Sequence, residues 1–287
     1  MNALAGRNID RLLHSLFASV LFLTVLCLWR LSHEGSCAGL VLPGLIWCAV
    51  SYGLLQHRLQ RKRFALEFYL DESSGLRELF RRPWLAVTLS LVAAATLAAF
   101  LAVFAVLSRP TDWYFLCAAA VAFPLLFVSA VHWPGSHLRP DTRGGVTGPP
   151  HRGPSLREVL AARIAGWLAL AGTLGAYLYF GYYYIPAPGE VIYPGSLERT
   201  LHAFAERAGS ACPVVDDALL VANRIEGLSW YVVTTMTTAP WMEDAVRPFV
   251  WIAFLFNSAM VYGGFIRGLE GAVLLASRAA SGFRREE

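Results

Sequence analysis

Charge is what this sequence has least of. Only 15% of its 287 residues are Asp, Glu, Lys or Arg, where a soluble domain carries about a quarter. The shortage excludes an ordinary water-soluble fold. It also bears on transport chemistry. No acidic or basic residue is expected clearly inside a hydrocarbon-length run, and proton-coupled transporters usually need one there. Cysteine is sparse as well. Five are present and none forms a CxxC pair, so neither a metal site nor a disulfide framework is expected. Cys27, Cys37, Cys48 and Cys117 lie in or beside apolar runs, where cysteine acts as a small apolar residue. Cys212 lies in the largest loop, and is read either as a buried thiol or as a bridge between subunits. Ser-His-Asp, HExxH, Walker and GxGxxG patterns are all missing. Nothing therefore suggests an enzyme, a cofactor, a metal or a nucleic-acid partner.

What is abundant is apolar sequence in long blocks. Hydrophobic residues make up 56% of the chain and the mean hydropathy is +0.49. A helix needs about 20 apolar residues to cross a bilayer. Five blocks qualify: Leu12–Leu31, Ala38–Leu55, Trp84–Ser108, Trp113–His132 and Ile164–Ile185. A sixth runs from Phe249 to about Ile266 and fades into a milder apolar stretch. The first block lacks a small-x-small cleavage site and the next follows almost at once, so it is read as a retained helix. The fold class expected is an all-α integral membrane protein with six transmembrane helices.

Basic residues set the expected orientation. Most of the 24 Lys and Arg fall in 1–11, 56–83, 133–163 and the tail, which places both termini in the cytoplasm and suggests a bacterial inner membrane. The first inner loop, "HRLQRKRFALEFYLDESSGLRELFRRP", reads as basic interfacial helix. The second is rich in Gly and Pro and reads as a linker. It divides the chain into a four-span unit (1–133), a linker (134–154) and a two-span unit (155–287). Ser155 to Glu158 has capping-box spacing and should open the fifth helix. The one large outer loop, from Pro186 to Val246, is acidic, and a helix is expected in it over "SLERTLHAFAERAG".

The stretch "GLSWYVVTTMTTAPWMED", Gly227 to Asp244, is too polar to cross a bilayer and too apolar for a plain loop. About 13 helix-compatible residues precede Pro240, too few to span. Non-helical backbone at membrane depth must be buried in protein or line a cavity, so a re-entrant helix over 228–238 with a short return is expected. Here the residues resemble the pore loop of potassium channels and their six-span relatives. Trp230 and Tyr231 match the aromatic pair, Thr235, Met236, Thr237 and Thr238 match T-M-T-T, and Asp244 matches the terminal acid with one residue inserted. The order of four spans, outer pore helix, pore loop and inner helix matches too.

The resemblance implies a homotetrameric, pore-forming cation-channel subunit that passes monovalent cations across the lipid bilayer. Its filter would comprise Thr235, Thr237, Thr238, Ala239, Pro240 and Trp241, backed by Trp230 and Tyr231, with Glu243 and Asp244 ringing the outer mouth. Asn257 and Ser258 would line the pore on the inner helix, and Gly263 and Gly264 would serve as its hinge. The family's filter depends on glycines, and Ala239 to Met242 stand in that place, so weak selectivity is expected. The fourth span carries no arginine series, so no voltage sensor is expected. The alternative is a non-conducting scaffold or sensor subunit that keeps a channel-like fold, with a regulatory partner at the cytoplasmic loops. Arg267 and Glu270, three apart near the inner face, read as an intrahelical ion pair.

Overall fold

The computed structural model describes residues 2–68, 84–132, 156–183, 192–207, 209–238 and 247–283. Its described residues form eight α-helices and one 3₁₀ turn, with no strand. The helices are α1 (Asn2–Ser32), α2 (Val41–Phe68), α3 (Trp84–Leu107), α4 (Pro110–His132), α5 (Leu156–Tyr183), α6 (Leu197–Ala205), α7 (Pro213–Thr238) and α8 (Arg247–Phe283), with the 3₁₀ turn at Cys37–Leu40. Six segments are long and apolar enough to cross a membrane: Ile9–Ser32, Cys37–Leu59, Val87–Leu107, Pro110–Val131, Arg157–Phe180 and Ala259–Ala279. They match the six apolar blocks of the sequence. The chain is thus read as an integral membrane protein. One end of the bundle carries the α1–α2 and α3–α4 turns, and the other carries both chain termini.

Local sequence explains the helices. In α3, Ala94, Ala98, Leu101, Ala102 and Ala105 are buried, an i, i+4, i+7 stripe of mostly small residues that lets neighbouring helices approach. Trp29 of α1 donates its indole N–H to the Ala102 carbonyl at 2.8 Å, fastening α1 to α3. Pro124 sits inside α4, which continues through it. The fifth helix is described from Leu156, and Ser155, the expected cap, lies outside the described residues.

The last helix is the centre of the bundle. α8 packs against α1, α2, α3 and α5, with α4 and α7 also touching it. Its side chains from Val261 to Leu274 are almost all buried, including Tyr262, Phe265, Ile266 and Leu269. Packing therefore runs across the 134–154 linker, which itself lies outside the described residues.

The last helix runs on past Ile266 to Phe283, through the milder apolar stretch that the sequence shows there, and Arg267 and Glu270 lie on that continuation. One sequence expectation is corrected here, that of the cysteines. Cys37 and Cys212 form an intrachain disulfide with Cα atoms 4.9 Å apart across 175 residues of sequence. Their chain separation hid a proximity that only the fold creates. Cys27, Cys48 and Cys117 are free thiols.

The polar loop also differs in form. In place of a short helix over 228–238, α7 is one helix of 26 residues starting at Pro213. Arg224 and Glu226 do not interrupt it, because the helix is amphipathic. Val215, Leu219, Asn223, Trp230 and Val233 are buried, while Asp216, Asp217 and Arg224 are exposed. α6 realises the expected loop helix and packs against α7. The ring of Phe204 lies against Gly227, where a Cβ would come within 2.9 Å of it.

Candidate functional site

The most unusual chemistry lies where α2, α5 and α8 meet. The approach begins with glycine. A Cβ on Gly271 of α8 would run into the Ala49 carbonyl of α2, and one on Gly53 would come within 2.8 Å of the Arg267 carbonyl. With both side chains absent the two backbones touch, and His57, one turn beyond Gly53, reaches Glu270. His57 Nε2 lies 2.8 Å from Glu270 Oε2. Arg267 Nη1 donates to the same oxygen at 2.6 Å and to Oε1 at 2.8 Å. On the far side the carboxylate presses on the α5 backbone at Gly166, where a Cβ would collide with Oε1. The Arg267 guanidinium lies over the Trp167 ring, 5.5 Å from its centroid.

Glu270 is wholly buried, whereas His57 and Arg267 keep side-chain exposures of 11% and 21%. A lone buried charge would cost several kcal/mol. Here Arg267 and His57 both converge on one carboxylate, which offsets that cost. The intrahelical Arg267–Glu270 pair expected from sequence is present. What sequence reasoning missed is its depth and its third member. The signal for it was the run of glycines around the acid, at 263, 264, 268 and 271, which marks α8 as a helix that neighbours approach closely.

A second polar cluster caps the opposite end of the bundle. Arg30 Nη1 donates to the Ser108 carbonyl at 3.0 Å and to its Oγ at 3.2 Å, and its guanidinium lies 5.4 Å from the Trp113 ring centroid. The Arg109 backbone N–H donates to Asp112 Oδ2 at 2.8 Å. The Arg109 guanidinium covers Trp230 at 5.2 Å. Arg207 pairs with Glu226 at 3.8 Å. Burial pushes the Glu226 carboxyl above its ordinary range, opposed by Arg207, Arg109 and a hydrogen bond from Trp230. Burial likewise lowers Arg207. Asn223 is fully buried, with no hydrogen-bond partner for either amide atom among the described residues.

This cluster fixes where α7 runs. Its start is tied to the α1–α2 turn by the disulfide, by Ser210 Oγ donating to the His33 carbonyl at 2.5 Å, and by Ala211 N–H donating to the Glu34 carbonyl at 3.3 Å. Seventeen residues later Trp230 meets Arg109 in the α3–α4 turn. At 1.5 Å per residue that is about 25 Å of helix between two anchors at the same end of the bundle. α7 therefore runs across that end over this length.

The sequence-predicted pore residues are distributed accordingly. Trp230 is buried beneath Arg109, and Tyr231 is half-buried. Thr234 turns its hydroxyl onto its own helix, donating to the Trp230 carbonyl at 2.8 Å, and Thr235 is exposed. Thr237 and Thr238 are the last described residues of α7, with side chains outside the described set. Ala239, Pro240, Trp241, Glu243 and Asp244 lie outside the described residues. Asn257 and Ser258 are on α8, also with side chains outside the described set. Gly264 is buried against Leu97 of α3, while Gly263 faces open space. Of the predicted set the structure brings Trp230 into a cluster, but with Arg109. Among the described residues no group of three His, Cys, Asp or Glu side chains forms a metal-ligand set. Comparison of the chain with protein-family models, with curated proteins and with solved structures found no match.

Proposed function

We propose that this protein is a non-conducting membrane subunit, a scaffold or sensor, oriented with both termini in the cytoplasm of a bacterial inner membrane. One observation carries the reading. The described part of the last helix, from Val261 to Leu274, is enclosed largely by its own chain. α1, α2, α3 and α5 pack against the helix, and these turns are sealed with aromatic and aliphatic side chains. Over that length, with an ion pair locked inside, it has little surface left to line a channel. The orientation has two supports: the basic residues concentrated at the terminal end, and the disulfide at the other end, since disulfides persist in oxidising compartments.

A second reading is the weakly selective cation-channel subunit, with 228–244 as its pore segment. It is favoured by chain order: α7, which carries Thr234, Thr235, Thr237 and Thr238, is the helix before α8 among the described residues, the order of helix and inner helix that a pore loop requires. Reconstitution separates the two. Monodisperse, disulfide-intact protein in potassium-loaded vesicles should give cation flux equal to protein-free vesicles. Flux that rises with protein content, and falls when Glu243 and Asp244 are both neutralised, would replace the scaffold with the channel.

A further inference from the structure

The His57–Glu270 contact carries a chemistry that an ion pair alone does not. Glu270, held by two hydrogen bonds from Arg267, is a carboxylate, and a carboxylate only accepts hydrogen bonds. Its bond with His57 Nε2 at 2.8 Å therefore needs a proton on Nε2. That assignment fixes the neutral tautomer and leaves the lone pair on Nδ1. Nδ1 makes no hydrogen bond among the described residues, and His57 is the partly exposed member of the pair. A proton reaching Nδ1 turns the imidazole into imidazolium without breaking any bond described above. The site then changes from a neutral pair plus a neutral ring to one carboxylate between two cations, with one net positive charge inside the bundle.

We propose that His57 and Glu270 form a proton-binding site within the membrane bundle, loaded at His57 Nδ1 from the end that carries the chain termini. The direction follows from the helices. α2 runs from the α1–α2 turn to the terminal end, and His57 lies at the far end of its span, Cys37–Leu59, one residue before Arg58. The neighbouring helices carry charge toward the terminal end: Asp10, Arg11 and His14 on α1, Arg58 on α2, Arg157, Glu158 and Arg163 on α5, and Arg267 and Arg278 on α8. α2 also carries Tyr52, α1 between Ser15 and Leu28 contributes only Cys27, and α3 contains no ionisable side chain. Of these groups Arg267 bonds Glu270 directly, as His57 does. Histidine is the side chain suited to change charge near neutral pH. The α5 backbone at Gly166 lies directly against the carboxylate and backs the acceptor. The inference does not require the protein to conduct ions.

Solid-state NMR tests this on the unsubstituted protein in lipid. With ¹⁵N-histidine and ¹³C-glutamate labels, His57 is identified by dipolar coupling between its Nε2 and a carboxylate carbon. The other His–carboxylate pair among the described residues, His202–Glu206, couples through Nδ1 on the exposed surface. The expected result is an Nε2 that stays protonated from pH 5 to 9 while Nδ1 of the same ring gains and loses a proton. His57→Gln, which keeps an N–H for Glu270, should abolish that titration and leave the ring signals of the remaining histidines unchanged. An Nδ1 signal that does not move with pH, or a titration surviving in His57→Gln, would overturn the proposal. If His57→Gln fails to fold, the dipolar-assigned titration of the unsubstituted protein decides alone.

Discussion

A single carboxylate shows how much depends on its neighbours. Glu270 is buried with Arg267 and His57 on one side and the Gly166 backbone on the other. Removing the acid leaves the Arg267 charge in the interior, a change that typically costs about 3–5 kcal/mol. Glu270→Ala should therefore lower the melting temperature of the purified protein sharply. Replacing both Glu270 and Arg267 by leucine and methionine should recover most of the loss, because no charge is then left unpaired. Gly166→Ala tests the other wall. It adds one methyl where the carboxylate sits, and overpacking of that kind costs about 1–3 kcal/mol. A Glu270→Ala protein that melts with the wild type would mean that the triad is not buried as described. Residue type alone made Arg267 and Glu270 visible as an i, i+3 pair. Their depth was hidden because the sequence after Ile266 is only mildly apolar, and His57 was hidden because contacts between helices far apart in sequence leave no local pattern.

At the scale of elements, α7 is the segment whose reading changed most. Counting back from Pro240 suggested a helix too short to span, whereas α7 is described over Pro213–Thr238, with Pro240 outside the described residues. Its start was misjudged because Arg224 and Glu226 look like loop charges. In an amphipathic helix Arg224 simply points outward, and Glu226 finds Arg207. The spans themselves were legible because length and hydropathy decide them. The path of α7 was not, since it depends on one disulfide and one cation–π contact. Those anchors give a test. Removing the disulfide with Cys37→Ser and Cys212→Ser together takes away a cross-link that stabilises by about 2–4 kcal/mol in soluble proteins. It should release the start of α7, with faster amide hydrogen exchange over 209–220 and little change in α2 or α8. Equal exchange in both proteins would show that the hydrogen bonds of Ser210 and Ala211 to the α1–α2 turn suffice to hold it.

For the whole molecule, the arrangement is a bundle with a polar cluster at one end, an ionic triad toward the other, and a central helix joining them. The two ends differ in what they can tolerate. In the proposed orientation the disulfide end faces an oxidising compartment, where Cys37 and Cys212 stay joined. The same proposal puts the basic inner segments of the sequence on the cytoplasmic side, where such residues are retained. The two rules depend on different residues and different physics, one on thiol redox state and the other on charge during insertion, yet they give one orientation. Single cysteines placed at residues 200 and 145 in a background lacking native cysteines check it. An impermeant maleimide added to intact cells should label position 200 and leave position 145 unlabelled until the membrane is opened. Labelling at 145 in intact cells would invert the protein. His57 would then receive its protons from outside, and the disulfide would face the reducing cytoplasm, where it would not persist.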